Sequence, residues 1–262
     1  MTRDSVHLRQ KQIEILDPEK REYLSGLMGV PLERSLEERD RMLVIFMHSF
    51  PGHKDDHQGF MSLMANLFGE HGFYTFRFDF RGCGQSEGRE EDFTLTRARQ
   101  DLDLVRDWAH KQGFKKFIYV TDGLAAHVAI SSFLADVQAM VMFSPLLDGA
   151  AYARYLLQAE PEASTPVSGG YHPVKDHRIG EQLIFELMNA GKPTDALPMP
   201  ILVHYGTKDD RMSPAHLELL KSGLEATRID ITSYQGGTRG LPDPKHRQMV
   251  SIHTSQFLKK YF

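Results

Sequence analysis

Short apolar runs rich in β-forming residues recur along this chain, and stretches with helical patterning separate them. The runs lack the polar alternation of a half-exposed strand, so each is predicted to be buried on both faces of a sheet. Alternation of strands and helices implies right-handed crossovers and helices on both sides of the sheet. The sequence therefore predicts one α/β domain over residues 1–262, with a mostly parallel, doubly wound sheet. The predicted strands are residues 42–47, 74–78, 117–120, 140–143, 201–205 and 229–234.

One segment interrupts this alternation. Residues 148–198 contain no predicted strand, and a stretch rich in Pro, Ser, Gly and Ala lies between two helical pieces at about 151–157 and 180–188. We interpret the segment as a small cap inserted between two strands, over the C-terminal edge of the sheet. The alternative is a long surface excursion without a role. Elsewhere, apolar spacing predicts a helix over 95–108, and Ser213-Pro214 predicts the start of another.

Composition and charge argue against several classes of protein. The chain has 262 residues, 41% of them hydrophobic, and a net charge of −4 with scattered basic residues, so no nucleic-acid footprint is expected. The single cysteine, Cys83, rules out an internal disulfide and suits a reducing compartment. No apolar run reaches the roughly 20 residues of a membrane span, and the N-terminus lacks signal-peptide features. We expect a cytoplasmic protein without cofactor, nucleic-acid partner or membrane span.

The stretch Lys116–Ile130, KFIYVTDGLAAHVAI, has an apolar strand that runs through a tight turn into an alanine-rich helix. Three other blocks have a characteristic form: MLVIFMHSFPGHKDDHQGF, YTFRFDFRGCGQSEG and PILVHYGTKDDRMSP. With these blocks the chain resembles the α/β-hydrolase superfamily from about Tyr23 to Phe262, particularly its carboxylesterase, feruloyl-esterase and serine-aminopeptidase-like members. The resemblance implies an α/β-hydrolase fold with a Ser–acid–His triad, whose serine lies on a strained elbow after a central strand.

The elbow position carries no serine. Ungapped alignment places Gly123 at the nucleophile, because Thr121 and Ala125 supply the small residues that the turn needs two positions before and after it. A register that makes Asp122 the nucleophile would put larger side chains at those crowded positions. Glycine tolerates the positive φ of the elbow, but it offers no oxygen for an acyl-enzyme.

The other triad positions can be assigned in the same way. The resemblance implies Asp209 as the acid and places Arg239 where the catalytic histidine is expected. A guanidinium has a pKa above roughly 12 and cannot act as a base at neutral pH. We therefore predict a pseudohydrolase with a degenerate triad that binds a small-molecule ligand or a protein partner. The alternative is an esterase-like hydrolase with relocated chemistry, in which Asp122 attacks or His246 activates water with Asp209.

The resemblance also implies an oxyanion hole made by the backbone N–H groups of Phe50 and Leu124, with His48 nearby. Leu124 opens a helix and Arg239 is expected to approach the same place, so a small carboxylate is one candidate ligand. In the competing arrangement Arg239 pairs with Asp209. The run 53–57, HKDDH, has side chains of the types that bind metals, but its spacing fits no motif, and no metal is predicted.

Overall fold

In a computed structural model of the protein, the residues described are 8–32, 42–132, 135–191, 197–212, 214–220 and 228–262. Their strands, in chain order, are β1 (Leu8–Leu16), β2 (Tyr23–Pro31), β3 (Met42–Met47), β4 (Tyr74–Phe78), β5 (Lys116–Asp122), β6 (Val137–Phe143), β7 (Tyr171–Val174), β8 (His177–Gly180), β9 (Pro200–Gly206) and β10 (Arg228–Tyr234). The helices are α1 (Asp56–Glu70), α2 (Leu95–Lys111), α3 (Ala125–Ile130), α4 (Gly149–Gln158), α5 (Glu181–Asn189), α6 (Pro214–Glu218) and α7 (Pro244–Tyr261).

An eight-stranded sheet forms the centre, in the order β1-β2-β4-β3-β5-β6-β9-β10. The pairs from β4 through β10 are parallel, and β1 and β2 add an antiparallel edge. Because parallel strands end at the same edge, the loops after β3, β5, β9 and β10 come together there. In open α/β sheets this carboxyl edge is where ligands bind.

Two apolar clusters cover the two faces of the sheet. One includes residues of α2, α3, α4 and α5, and the other includes residues of α1 and α7. Strands such as β3 are buried at every position, as a sheet covered on both sides requires. The prediction of a mostly parallel sheet with helices on both faces is confirmed.

The six predicted strands are all present, and most extend by one to three residues beyond the predicted bounds. Two strands were not predicted: β1, which is largely polar, and β2, which has two glycines inside it. Gly26 shows why glycine is tolerated there: a Cβ at this position would lie 2.2 Å from Cζ of Phe76 on the neighbouring strand. Close packing against the ring of Phe76, rather than strand propensity, therefore requires glycine at position 26.

The insertion, residues 148–198, contains more structure than the sequence predicted. Helices α4 and α5 match the two helical pieces, but between them β7 and β8 form an antiparallel hairpin. The hairpin was missed because its strands are four residues each and β7 contains Pro173. Residues 192–196 and Ser213, the predicted cap of α6, lie outside the described residues. That the insertion acts as a cap stays a prediction.

Candidate ligand site

The turn after β5 has the backbone of a nucleophile elbow. Gly123 lies between the end of β5 and the start of α3, with φ of +53°. Its N–H donates to the carbonyl of Phe143 at 2.9 Å, and its carbonyl accepts from Leu146 N–H at 3.0 Å. The end of β6 and the loop after it therefore hold this positive-φ conformation, which glycine adopts at little cost.

The space that a nucleophile would use at this elbow is filled by Ser49. An ideal Cβ on Gly123 would lie 2.3 Å from Ser49 Oγ and 3.0 Å from Ser49 Cβ. Ser49 is fully buried and its hydroxyl accepts a hydrogen bond from Leu124 N–H at 3.3 Å. The elbow thus has a serine hydroxyl beside it, supplied by the loop after β3, but the residue is closed off from solvent.

The carboxylate predicted to be the triad acid has a partner that the sequence did not predict. Asp209 follows β9, and its two carboxylate oxygens accept from Nε and Nη2 of Arg211 at 3.1 and 3.0 Å. Both side chains are at most 1% exposed. Burial alone would lower the pKa of Arg211, but the carboxylates of Asp122 and Asp209 outweigh it and raise the pKa, so the guanidinium stays charged. Asp209 therefore holds a permanent cation where a triad acid would hold an imidazole.

Arg239 does not form the pair with Asp209 that was considered as an alternative. It lies in the loop after β10, is exposed, and donates from Nη2 to the carbonyl of Pro51 at 3.4 Å. His246 lies in the first turn of α7, with its ring centroid 5.6 Å from that of Tyr234. Asp122 is only 2% exposed. Among the described residues that line the pocket beside the elbow, neither Asp122 nor His246 is present.

One of the two expected oxyanion donors, the Leu124 N–H, is already engaged. Leu124 N–H is directed at Ser49, as described above. His48 is buried; its Nε2 accepts from Phe80 N–H at 3.1 Å, so its Nδ1 donates to the Ser49 carbonyl at 2.7 Å. One ring nitrogen of His48 therefore bonds to the loop after β4 and the other to the loop after β3. An anion at Leu124 N–H would require Ser49 to move, and the oxyanion role of Phe50 and Leu124 stays a prediction.

A pocket of about 610 Å³ opens beside the elbow, between the sheet edge and the insertion. Tyr152 on α4 forms part of its wall and donates from its hydroxyl to the Phe50 carbonyl at 2.8 Å. Burial raises the pKa of Tyr152 to about 12, so this phenol remains a neutral donor. The lining residues are Pro51, Gly52, His53, Gly82, Cys83, Gly84, Glu90, Tyr152, Tyr155, Leu156, Ala159, Val174, Lys175, His177, Arg211 and Arg239.

A histidine–carboxylate pair ties the hairpin of the insertion to the body of the protein. Glu90 Oε1 contacts His177 Nδ1 at 2.6 Å, and Glu90 Oε2 accepts from Arg178 N–H at 2.8 Å. The hydrogen bond to Glu90 raises the pKa of His177, against the opposing effects of burial and Arg239. Burial alone would raise the pKa of Glu90, but these hydrogen bonds outweigh it and lower the pKa.

The pair is expected to make stability depend on pH. A raised histidine pKa contributes stability that is complete below about 6.5 and is lost as the pH rises through the folded-state pKa. A lowered Glu90 pKa contributes above about 4.3 and is lost as the pH falls through its folded value. We expect His177→Gln to lower the free energy of unfolding most near pH 5.5, by about 0.5 kcal/mol because the pair is partly exposed, and little at pH 8.5. A pH-independent effect of His177→Gln, measured by thermal denaturation, would contradict the charged pair.

Sequence reasoning missed three residues of this site: Ser49, Arg211 and Tyr152. Ser49 and Arg211 stood inside two of the quoted blocks, but nothing local showed that Ser49 reaches the elbow or that Arg211 folds back onto Asp209. Tyr152 belongs to the insertion, whose packing has no sequence signal. Arg211 stands two positions after Asp209 in the chain, and this proximity was the only local sign of the pair. At that spacing the backbone N–H of Arg211 also donates to Asp209 Oδ1, at 3.2 Å.

Among the described residues, no group of three or more His, Cys, Asp or Glu side chains is placed to hold a metal ion. None of the helices in the described part of the chain has both the length and the apolar character needed to cross a bilayer.

Solved structures with the same architecture are α/β hydrolases. Est1E from Butyrivibrio proteoclasticus, solved with ferulic acid bound, superimposes with a TM-score of 0.76 at 17% identity, covering 95% of this chain and 98% of that one. Mouse α/β hydrolase domain-containing protein 10 gives 0.71 at 16% identity, covering 95% and 99%. An esterase from Pyrococcus furiosus gives 0.69 at 17% identity, covering 100% and 94%. These likenesses confirm the α/β-hydrolase fold.

Sequence comparison adds a family. A curated relative, an uncharacterized 31.7 kDa protein from the traX-finO intergenic region of Escherichia coli, is 36% identical over 70 residues. That match covers 27% of this chain and 23% of the relative, so it spans about a quarter of the relative's length. The family model described as acyl transferase matches residues 18–158, more than half of the chain. The chain therefore belongs to the acyl transferase family, and it has the α/β-hydrolase fold.

Proposed function

We propose that this protein is a non-hydrolytic member of its family, which binds a small ligand in the pocket beside the elbow. The observation that carries the proposal is the double occupation of the triad positions. Ser49 Oγ fills the place of a side chain on Gly123, and Arg211 covers both oxygens of Asp209.

Covalent ester hydrolysis needs an accessible nucleophile and a base within hydrogen-bond reach of it. The hydroxyl beside the elbow belongs to Ser49, which is buried and accepts from Leu124 N–H. The histidine next to it in the chain, His48, uses both ring nitrogens in other hydrogen bonds. Arg211, the cation beside the elbow, cannot accept a proton. Neither requirement for covalent hydrolysis is met by these groups.

Ligand binding requires a cavity of suitable size and lining but no reactive group, and the pocket beside the elbow has such a size and lining. The pocket is open, has tyrosine and aliphatic walls, and volumes of several hundred Å³ are typical of small-molecule sites. Est1E, with the same fold, has been solved with ferulic acid bound. This likeness supports a small organic ligand by analogy of fold only.

The direct test is an assay of ester hydrolysis by the purified protein. We expect 4-nitrophenyl acetate and butyrate to be hydrolysed no faster than by a surface protein of similar composition, because no acyl-enzyme can form at Gly123. Removal of triad members typically leaves only the small residual rate that binding and backbone donors supply. A fluorophosphonate probe should leave the intact mass unchanged, and the esterase from Pyrococcus furiosus would serve as a positive control for the ester assay.

The contrary outcome is equally specific. Turnover on the order of 1 s⁻¹, well within the range of working enzymes, would overturn the proposal if it disappeared in Asp122→Asn or His246→Ala and persisted in Asp210→Asn. That pattern would establish the relocated chemistry instead. Loss of activity in Ser49→Ala alone would assign the reaction to the hydroxyl beside the elbow.

A further inference from the structure

The pocket has an excess of positive charge on its walls. Three of its lining residues have basic side chains: Arg211, Arg239 and Lys175. Its one carboxylate, Glu90, is engaged with His177. A concave site whose walls carry one sign of charge favours ligands of the opposite sign.

Arg211 provides one fixed and unused donor. Its Nε and Nη2 are held by Asp209, which fixes the plane of the guanidinium. Its Nη1 is buried and has no hydrogen-bond partner among the described residues, and it lies 3.1 Å from the position of a Cβ on Gly123. A buried cationic donor without an acceptor is costly, and a ligand acceptor would remove that cost.

On the basis of the proposed ligand-binding function, we propose that the pocket recognises a small organic monocarboxylate. One carboxylate oxygen accepts from Arg211 Nη1, and Arg239, at the mouth of the pocket, supplies the second cationic contact. Arg239 acts electrostatically on Tyr152, Tyr155 and His177, which places its charge over the same cavity.

The two carboxylates around Arg211 offset its positive charge, and this limits the negative charge that a ligand can carry. Asp209 pairs with the guanidinium, and Asp122 acts on it through charge, although Asp122 does not line the pocket. Arg211 is thereby neutralised as a charge but retains a directed N–H donor, so the excess positive charge comes from Arg239 and Lys175. This balance suits a singly charged, planar acceptor better than a phosphate dianion, which would need more free donors.

The remaining wall selects for an organic tail. Tyr152 and Tyr155 lie nearly parallel, with ring centroids 6.0 Å apart and planes 13° from parallel. Leu156 and Val174 extend this apolar wall along the insertion. An aromatic or short aliphatic carboxylate would place its tail there and its charge at Arg211.

The probe is 3-phenylpropanoate, and 3-phenylpropanamide is its neutral counterpart of the same shape. Titration calorimetry at pH 7.5 is expected to detect the acid and to show at least tenfold weaker binding of the amide. Arg239→Gln should weaken binding of the acid about 10- to 100-fold, the effect of one lost hydrogen bond to a charged group. The control is Arg178→Gln. Arg178 is an exposed arginine in β8 that does not line the pocket, so its substitution should leave the affinity for the acid unchanged.

Arg211→Lys tests the buried donor, and circular dichroism would show whether the variant folds. Because Arg239 is exposed, Arg239→Gln keeps the test valid even if Arg211→Lys does not fold. Equal binding of the acid and the amide would overturn the carboxylate assignment and leave ligand binding intact, and so would acid binding unaffected by Arg239→Gln. No binding of the acid by the wild type would also overturn the assignment. Hydrolysis of the 4-nitrophenyl ester of 3-phenylpropanoate would instead refute the proposed non-hydrolytic function.

Discussion

Asp209→Ala is expected to lower the free energy of unfolding by about 3 kcal/mol, which corresponds to roughly 6–12 °C in melting temperature for a domain of this size. The substitution leaves the Arg211 guanidinium charged and buried, with Nε and Nη2 deprived of their acceptors. Breaking one side of a buried ion pair typically costs about 3–5 kcal/mol, and the charge of Asp122 nearby places the estimate at the lower end. Urea and thermal denaturation would measure the loss.

Asp210→Ala is the matched control, since it removes the adjacent carboxylate. Asp210 is exposed, and its described hydrogen bond is from the Tyr155 hydroxyl at 3.1 Å, so we expect a loss of about 1 kcal/mol or less. Asp209→Asn keeps an acceptor for Arg211 and should fall between the two variants. If Asp209→Ala proved as stable as Asp210→Ala, the pair with Arg211 would contribute nothing measurable.

Gly123→Ala is expected to destabilise the protein by about 2–4 kcal/mol, from two separate causes. A φ of +53° costs a residue with a Cβ about 1 kcal/mol or more. The new methyl group would also lie 2.3 Å from Ser49 Oγ, and relief by rotation of Ser49 would break its hydrogen bond with Leu124 N–H. Overpacking of this kind typically costs about 1–3 kcal/mol.

A double-mutant cycle separates the two causes. Ser49→Gly removes the clashing atoms, so Gly123→Ala should cost at least about 1 kcal/mol less in that background than in the wild type. Gly72→Ala is the backbone control, because Gly72 has φ of +81° and no atom within 4 Å of its Cβ position. Additive effects of Gly123→Ala and Ser49→Gly in chemical denaturation would rule out the steric explanation.

The fold could be predicted from the sequence because its central strands are buried on both faces and therefore appear as uninterrupted apolar runs, as in β3. The antiparallel edge could not, because β1 lies at the end of the sheet with many exposed polar residues, and Gly26 in β2 follows from the ring of Phe76 across the sheet. The hairpin of the insertion is held by a long-range contact, Glu90 with His177, that no local pattern indicates.

At the site, the sequence by itself determined what is missing. Gly123 has no oxygen and Arg239 cannot be a base, whatever the tertiary structure, because these are properties of the side chains. The tertiary structure decided which groups lie against Gly123 and Asp209. Ser49 reaches the elbow from the loop after β3, and Arg211 folds back on Asp209, since parallel strands bring their carboxyl ends to one edge of the sheet. Contacts between loops so far apart in the chain depend on strand order and packing, and neither is encoded in the local pattern of residues.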